Sequence, residues 1–374
     1  MRMDAPLFIG SEIYRGSSYG ARHPLSIPRV PTVIDLCRAM GWLGPAQYRT
    51  SPRARPAALT AFHTPAYVAA LQEVETSGHV SPAIRARHGL GTLSNPIFPE
   101  MFRRPATAAG GSLLATELLS QGGAVYNPGG GTHHGMADRA SGFCYLNDPV
   151  LALKALFAQG LTRIAYVDID AHHSDGVEAA MAGTPGLLMI STHEQNRWPF
   201  TGALQDTGRG TAFNLPLPRD SHDDDAAFAL HELILPALSA HRPQAIVLQC
   251  GADAVLEDPL SRLAWSNNAH FECLRHIAPL SPRLLLLGGG GYNPWSVGRL
   301  WTGLWATLNG HAIPDRLPGP ACDVLSALSW TRKGNTPRPA HWTTTIRDAP
   351  RNGPVHETVR SGVQALRSRL AAHV

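Results

Sequence analysis

One stretch of the sequence, residues 164–178, concentrates side chains that could bind a metal ion. It reads IAYVDIDAHHSDGVE, an apolar run followed within eight positions by Asp168, Asp170, His172, His173 and Asp175. In an extended chain, residues 168, 170 and 172 lie on one face because successive side chains alternate in direction. Carboxylate oxygens and imidazole nitrogens are common metal ligands. The stretch therefore predicts a metal site at the end of a buried strand rather than an ordinary polar loop.

A third metal ligand is available after another apolar strand, residues 245–249, which leads to Asp253. With Asp170 and His172 it makes a set of two carboxylates and one imidazole. Three protein ligands with an open position are typical of a catalytic zinc site, and an oxygen-rich set also admits Fe²⁺ or Co²⁺. The five cysteines are widely spread and lack a C-x-x-C pair, which disfavours a structural zinc site.

Two adjacent histidines, His133 and His134, lie on a glycine-rich loop after an apolar run at 124–126. Neutral imidazole can accept a proton from water, and imidazolium can donate one to a leaving amine. Such histidines need carboxylate partners, and Asp168 and Asp175 are available. Taken alone, a His-His pair is more often incidental, and Asp175 could instead cap the helix that follows.

Tyr292 follows four consecutive glycines, residues 288–291, which leave the backbone free to project its phenol. A phenol can hydrogen-bond the oxyanion that forms when water attacks a carbonyl. The glycines alone could also make a tight turn, and nucleotide binding is disfavoured because no G-x-G-x-x-G opens a helix. Four polar clusters that follow four separate strands together indicate metal-assisted hydrolysis of an amide or ester.

Short apolar strands alternate with helical patterns along the chain. We predict strands at 7–9, 124–126, 164–167, 187–191, 245–249 and 284–287, and helices at 31–40, 64–75, 105–120, 147–158, 224–241, 268–277, 294–308 and 356–371. This alternation predicts an α/β fold with a mainly parallel central sheet and helices on both faces. Sites in such folds lie at the C-terminal ends of the strands, so the four clusters should converge there.

The composition of the 374 residues, 44% hydrophobic and 16% charged, suits one large domain over 1–374 with its last helix packed on the core. A net charge of +4 without a basic run predicts no nucleic-acid partner. No window approaches about 20 apolar residues, so no membrane association is expected. The odd number of dispersed cysteines favours a cytoplasmic protein with reduced thiols. The oligomeric state is left open.

These motifs resemble the histone deacetylase family of the arginase/deacetylase superfamily. The matching segments are 129–148, 166–178, 248–254 and 287–293, in the family's order, within a region of about 10–310. The resemblance implies a zinc-dependent amidohydrolase that removes acyl groups, chiefly acetyl, from the ε-amine of lysine in a protein or peptide. The alternative is an acetylpolyamine amidohydrolase, because acetylated polyamines offer the same N-acetyl-aminoalkyl chain. A non-catalytic acyl-lysine binding module and an arginase-like ureohydrolase with two metals are less favoured.

The resemblance also implies a role for each matching residue of the reaction centre. Asp170, His172 and Asp253 resemble the zinc ligands, and Tyr292 resembles the tyrosine that polarises the carbonyl. His134 resembles the general base and acid. His133 resembles an electrostatic helper, with Asp168 and Asp175 as the carboxylate partners of His133 and His134.

Further residues are assigned through the resemblance alone. Gly142, Phe143, Trp198 and Gly290 are expected to bind substrate, the aromatic pair lining a tunnel for the acyl-lysine chain. A structural potassium ion is expected at Asp168, Asp170, His172 and Ser191. Arg29 is expected to line an internal channel for the acetate product.

Two segments depart from the family's pattern. Many relatives carry an aspartate near an Asp-x-Pro sequence that grips the substrate backbone, whereas this chain has Ser94-Asn95-Pro96. The loop 195–209 also differs, and we expect it to affect substrate choice more than chemistry.

Overall fold

The structure is a computed structural model that describes residues 5–330 and 337–371. Its strands are β1 (Leu7–Gly10), β2 (Tyr48–Thr50), β3 (Gly123–Asn127), β4 (Ile164–Asp168), β5 (Leu187–Glu194), β6 (Ala212–Leu217), β7 (Ala245–Gln249) and β8 (Arg283–Leu287). They form one sheet in the order β2-β1-β3-β8-β7-β4-β5-β6. Every neighbouring pair is parallel, which confirms the predicted architecture.

The helices of the described residues connect these strands and cover the sheet. They are α1 (Ile13–Gly16), α2 (Val30–Ala39), α3 (Pro56–Leu59), α4 (Pro65–Ser77), α5 (Pro82–His88), α6 (Arg103–Leu118), α7 (Asp148–Ala158), α8 (Asp175–Met181), α9 (Asp223–Ala229), α10 (Leu235–His241), α11 (Asn267–Ile277), α12 (Pro294–Asn309), α13 (Gly319–Ser326), α14 (His341–Thr344) and α15 (Glu357–Ala371). No helix in the described ranges has the length and apolar content needed to cross a bilayer.

Two hydrophobic cores lie on opposite faces of the sheet. In β4, Ala165 and Val167 belong to the core that includes α2, α11 and α12, whereas Ile164 and Tyr166 belong to the core that includes α6 and α7. Successive strand side chains point to opposite faces, so a strand covered on both sides must be apolar throughout. This explains why β4 and β7 read as continuous apolar runs up to their last residues.

Several elements differ from the sequence-based predictions. Strands β2 and β6 were not predicted, because β2 has three residues and β6 contains Pro216, which an edge strand tolerates. Helix α5 was also not predicted. The helix predicted at 224–241 is interrupted by a π-helical turn, Leu230–Ile234. Pro236 follows that turn and lacks the N–H that a regular helix would use there.

The C-terminal helix α15 lies against β6 and α9. Its buried face includes Val359, Val363 and Leu366, and these residues have the spacing of an amphipathic helix. Arg369 donates a hydrogen bond from Nη2 to the carbonyl of Ala212 in β6, at 2.6 Å. The polar and apolar contacts together hold the end of the described chain on the sheet.

Candidate active site

The four polar clusters lie at one edge of the sheet, as the strand order requires. Strands β3, β8, β7 and β4 are consecutive neighbours. The loops after them carry the histidine pair 133–134, Tyr292, Asp253 and the Asp170/His172 pair, respectively. Because all four strands are parallel, their C-terminal ends open on the same side.

Asp170, His172 and Asp253 form the candidate metal centre. One ligand atom from each lies within 4.8 Å of the others. His172 Nδ1 is 2.9 Å from Asp253 Oδ2 and 3.3 Å from Asp170 Oδ1. Neighbouring backbone N–H groups fix both carboxylates, since Ala171 donates to Asp253 and Gly290 donates to Asp170. The structure therefore holds the three predicted ligands in a common, buried position.

The electrostatics of this centre suit a cation. Burial would lower the pKa of His172, but the carboxylates of Asp253 and Asp170 outweigh burial and raise the pKa to about 10. Burial and the nearby Asp170 carboxylate raise the pKa of Asp253. Two buried carboxylates at close range are costly without a positive charge between them. An O₂N donor set fits Zn²⁺ and also Fe²⁺ or Co²⁺.

Gly290 is a glycine because it lies against these ligands. A Cβ atom there would be 2.0 Å from Asp253 Oδ2 and 3.0 Å from Asp170 Oδ2. Any larger residue would displace both carboxylates. Gly290 in the structure therefore contacts the candidate metal ligands, and its predicted contact with substrate stays a prediction.

Each histidine of the pair has its own carboxylate. His133 Nδ1 is 2.8 Å from Asp168 Oδ2, and His134 Nδ1 is 2.6 Å from Asp175 Oδ1. The two rings are 4.0 Å apart between centroids. A proton on Nδ1, shared with the carboxylate, leaves Nε2 as the reactive nitrogen of each ring. These pairings are the ones predicted from the sequence.

The two histidines differ in basicity although they are neighbours. Burial would lower the pKa of His133, but the carboxylates of Asp168 and Asp170 outweigh it and raise the pKa to about 9. Burial lowers the pKa of His134 to about 3, with a further contribution from His133, and Asp175 only partly opposes it. The surroundings thus favour a cation on His133 and a neutral imidazole on His134.

Tyr292 lies beside the metal centre with its phenol protonated. Burial, followed by the nearby Asp253 carboxylate, raises its pKa well above the usual value of 10.0. Its backbone N–H donates to Asp258 Oδ2 at 2.6 Å, and the next residue, Asn293, caps α12. These contacts fix the backbone on both sides of the phenol.

The cavity above these groups has two aromatic walls. It encloses about 270 Å³, and its lining includes Phe143, Trp198 and Tyr292. The Trp198 ring lies 4.6 Å from the His134 ring. Gly142, at φ +51, faces the indole so closely that a Cβ would be 2.2 Å from Trp198 Cη2. Such a slot suits a methylene chain and excludes a bulky one. We call its outer end, at Ser94, Phe143 and Trp198, the mouth.

A second cavity continues inward past the metal centre. Its lining includes Arg29, Tyr14 and Tyr19 together with Asp170 and His172. Arg29 donates from Nη1 to the carbonyl of Gly289 at 2.7 Å. The structure therefore places the predicted channel residue in an internal chamber connected to the reaction centre.

Residues 23–308 match the family model described as the histone deacetylase domain.

The chain belongs to the histone deacetylase family.

Several members of the family are similar to this chain in sequence or structure along most of its length. It is 32% identical to the acetoin utilization protein AcuC of Bacillus subtilis (strain 168) over 326 aligned residues. This alignment covers 82% of this chain and 84% of that protein. It is 36% identical to histone deacetylase 1 of Oryza sativa subsp. japonica over 308 aligned residues. This alignment covers 80% of this chain and 59% of that protein. A crystal structure of an HDAC homolog from Aquifex aeolicus matches with a TM-score of 0.93 at 32% identity, covering 97% of this chain and 100% of that one.

The structure of this deacetylase-family chain also shows what the segment Ser94-Asn95-Pro96 does. Asn95 is buried and does not face the mouth. Its Oδ1 accepts the backbone N–H of Phe143 at 3.1 Å. Phe143 has φ +68, a left-handed conformation that needs support in a non-glycine residue. Asn95 therefore braces one aromatic wall, a role that sequence analysis did not anticipate.

His173, which had no role in the sequence analysis, anchors the opposite wall. Its Nδ1 is 2.8 Å from Thr201 Oγ1, and its Nε2 is 3.0 Å from Glu178 Oε2. The neighbouring His193 bonds the carbonyl of Gly202. These contacts thus hold the loop that carries Trp198 beside the candidate metal centre. The sequence signal was the adjacent pair His172-His173, in which a second histidine beside a candidate ligand suggests a buried hydrogen-bonding role.

Other supporting residues of the deacetylase-family site were also missed. Gln249 Nε2 lies 2.8 Å from His133 Nδ1, and the Tyr166 hydroxyl bonds Gln249 Oε1 at 3.0 Å. Both are polar residues in otherwise apolar strands, a pattern that could have pointed to them. Ser191 pairs in register with Asp168 across neighbouring strands. The potassium site expected at these residues stays a prediction.

Proposed function

We propose that this chain is a zinc-dependent deacylase that removes acetyl groups from the ε-amine of lysine side chains. The observation that carries the proposal is the convergence of three metal ligands, two carboxylate-paired histidines and a protonated tyrosine at the floor of one aromatic-walled cavity. Family membership supports the same chemistry.

Asp170, His172 and Asp253 are the residues that would hold the zinc ion. Zinc, when bound, supplies Lewis-acid chemistry that polarises a carbonyl and makes water more acidic. The remaining groups belong to the chain itself. Phe143 and Trp198 bind the methylene chain of the substrate and exclude bulk water from it.

Proton transfer falls to His134. Its Nδ1 is held by Asp175, so Nε2 can accept a proton from the attacking water and later donate it to the leaving amine. His133, held by Asp168, contributes positive charge next to the developing oxyanion. The Tyr292 hydroxyl donates a hydrogen bond to that oxyanion. The products are a free amine and acetate, and the inner chamber at Arg29 offers the anion a positively charged path.

The other function classes fit the geometry less well. A non-catalytic acyl-lysine binding module would not need two histidines paired with separate carboxylates. A two-metal ureohydrolase centre needs extra ligating acids, but Asp168 and Asp175 are hydrogen-bonded to His133 and His134.

The direct test is hydrolysis of acetyl-lysine peptides by zinc-loaded protein, followed by quantifying acetate and the free lysine product. We expect turnover that depends on one zinc per chain. Full zinc occupancy without turnover of any acyl-amine would overturn the proposal, and two metals per chain would favour the ureohydrolase.

A further inference from the structure

A wide groove opens from the mouth of the active-site cavity. It encloses about 860 Å³ and shares Ser94 and Phe143 with the mouth. The two depressions are therefore continuous. When a substrate's acetyl-lysine side chain enters between Phe143 and Trp198, the substrate residues that flank it on one side lie over this groove.

The groove carries two arginines without protein partners. Arg22 and Arg85 line it, and both are exposed. Among the described residues, neither guanidinium makes a hydrogen bond or an ion pair. Other arginines nearby are neutralised, since Arg87 pairs with Asp138 at 2.9 Å and Arg197 binds Glu194 with two nitrogens. Two unpaired positive charges thus face the space beside the mouth.

Negative charge is missing from the same surface. In the described part of the chain, no aspartate or glutamate lines either the groove or the cavity behind the mouth. Ser94, which lines both the groove and the cavity, is uncharged, and its backbone carbonyl is 3.2 Å from His23 Nε2. The surface beside the mouth is therefore positive overall, although the whole chain has a net charge of only +4.

Resting on the function proposed above, we infer that this groove selects acetyl-lysines whose neighbouring residues are acidic. Carboxylates next to the acetyl-lysine would lie near Arg22 and Arg85, which can bind them with paired N–H donors. An acetylated polyamine would instead bring its free ammonium groups toward the same guanidinium groups, so like-charge repulsion disfavours it. The groove thus discriminates between the two substrate classes that share the acetyl-aminoalkyl group.

The test uses three peptides in which the acetyl-lysine is flanked by glutamate, serine or lysine. With zinc-loaded protein at low ionic strength, we expect kcat/KM to fall in that order. An exposed charge pair changes binding by up to about fivefold, so two arginines should separate the glutamate and lysine peptides by roughly tenfold or more. The difference should lie mainly in KM and shrink as salt is added.

The matched variants are Arg22→Glu with Arg85→Glu, and Arg316→Glu as a control. Arg316 is exposed and lies outside the groove. The double variant should lose or reverse the peptide order, and the control should keep both the order and its kcat on the serine peptide. Melting temperatures would verify that each variant is folded.

Equal kcat/KM on the three peptides, or an unchanged order in the double variant, would overturn this inference alone. Faster hydrolysis of an acetylated polyamine than of the glutamate peptide would overturn it as well. Failure of the zinc-loaded protein on every peptide and polyamine would instead contradict the proposed function.

Discussion

Each reactive side chain of the site is held by a buried neighbour, and this arrangement decides what the side chain can do. The carboxylates of Asp168 and Asp175 orient two histidines that lie side by side, yet their surroundings favour opposite charge states. Burial keeps the phenol of Tyr292 protonated. The surroundings therefore favour the charge states that the proposed general base, the proposed cation and the proposed hydrogen-bond donor would need.

Tyr292→Phe should abolish most of the activity and leave zinc binding intact. The ring packs against Phe143, with centroids 5.7 Å apart, and this contact survives the change. Loss of one oxyanion donor typically lowers kcat by about 10²–10³-fold. Steady-state kinetics and metal analysis check the two halves of the prediction. As a control, Tyr126→Phe removes a buried hydroxyl outside the site and should keep kcat. Turnover of acetyl-lysine near the normal rate would refute the assigned role.

Asp253→Ala should empty the metal centre. It removes one of three ligands and leaves His172 with Asp170 alone. A site with two protein ligands binds zinc weakly, so we expect less than one zinc per chain after dialysis. As a control, Asp35→Ala changes a half-buried acid that pairs with Arg15 outside the site, and it should retain one zinc per chain. Retention of stoichiometric zinc in Asp253→Ala would remove this residue from the ligand set.

The residues of the candidate site could be expected from the sequence to lie together because they fall in short motifs after apolar runs, and their roles stay predictions. The residues that support them could not. Asn95, Gln249 and Asp258 act through contacts with distant backbone or side chains, and local spacing carries no information about those contacts. Asn95, for instance, bonds residue 143 across 48 positions of sequence.

Loops, more than strands, shape the substrate cavity. Strands β3, β4, β7 and β8 place the reactive groups, whereas the loops that follow bring in the aromatic walls. The loop after β5 carries Trp198 and is fastened by the contact of Thr201 with His173. Its geometry therefore depends on hydrogen bonds rather than on the sheet.

Thr201→Val should loosen the Trp198 wall without touching the metal ligands. The change keeps the side-chain shape and removes the hydroxyl that His173 Nδ1 contacts, which leaves a buried polar nitrogen unpaired at a cost of about 1–3 kcal/mol. We expect KM for acetyl-lysine peptides to rise severalfold with kcat nearly unchanged and zinc retained. Thr60→Val, at an exposed threonine that bonds only Ala57 O, is the matched control. An unchanged KM would mean that the loop is held by other contacts.

Sequence patterns miss the strands that lack a continuous run of apolar residues. Strand β6 contains Asn214 and Pro216, and β2 contains an arginine, so neither resembles a buried strand. The strands buried on both faces were predicted to within about two residues at most ends. Their parallel order follows from the intervening helices. Exact pairing at the sheet edges depends on contacts that are not local.

Polar contacts attach the segment before the C-terminal helix α15 to the start of α9, which is distant in the sequence. Asp225 accepts the backbone N–H of His356 at 2.8 Å, and its other oxygen lies 2.8 Å from His356 Nδ1. The same carboxylate accepts the N–H of His222 at the start of α9. One side chain therefore joins the starts of two helices, and Asp225 lies 131 positions from His356 in the sequence.

Asp225→Asn should change the acid stability of the whole fold. Burial opposes ionisation of Asp225, but the hydrogen bonds from His356 and His222 outweigh it and hold its pKa below 3.8. The carboxylate thus stabilises the fold above about pH 4, and this contribution is lost as the pH falls through the lowered pKa. We expect the wild-type melting temperature to fall more steeply than that of the variant below pH 4. At pH 7 the variant should be less stable by about 1–3 kcal/mol.

Calorimetry from pH 7 to pH 3 measures both curves, and loss of metal in acid affects the two chains alike. Parallel curves over that range would show that Asp225 does not contribute through its charge. Asp220→Asn, at an exposed acid, should match the wild type throughout.

Helix α15 has a consequence for association that is separate from catalysis. Strand β6 is the last strand of the sheet on its side, and a bare edge strand offers unpaired backbone groups to other chains. The helix covers β6, and Arg369 both occupies the carbonyl of Ala212 and stacks on Phe213, 4.5 Å from the ring centroid. At the opposite edge, β2 has only three residues and contains Arg49. Chains cut before residue 357 should therefore aggregate through β6 even where their metal centre is intact.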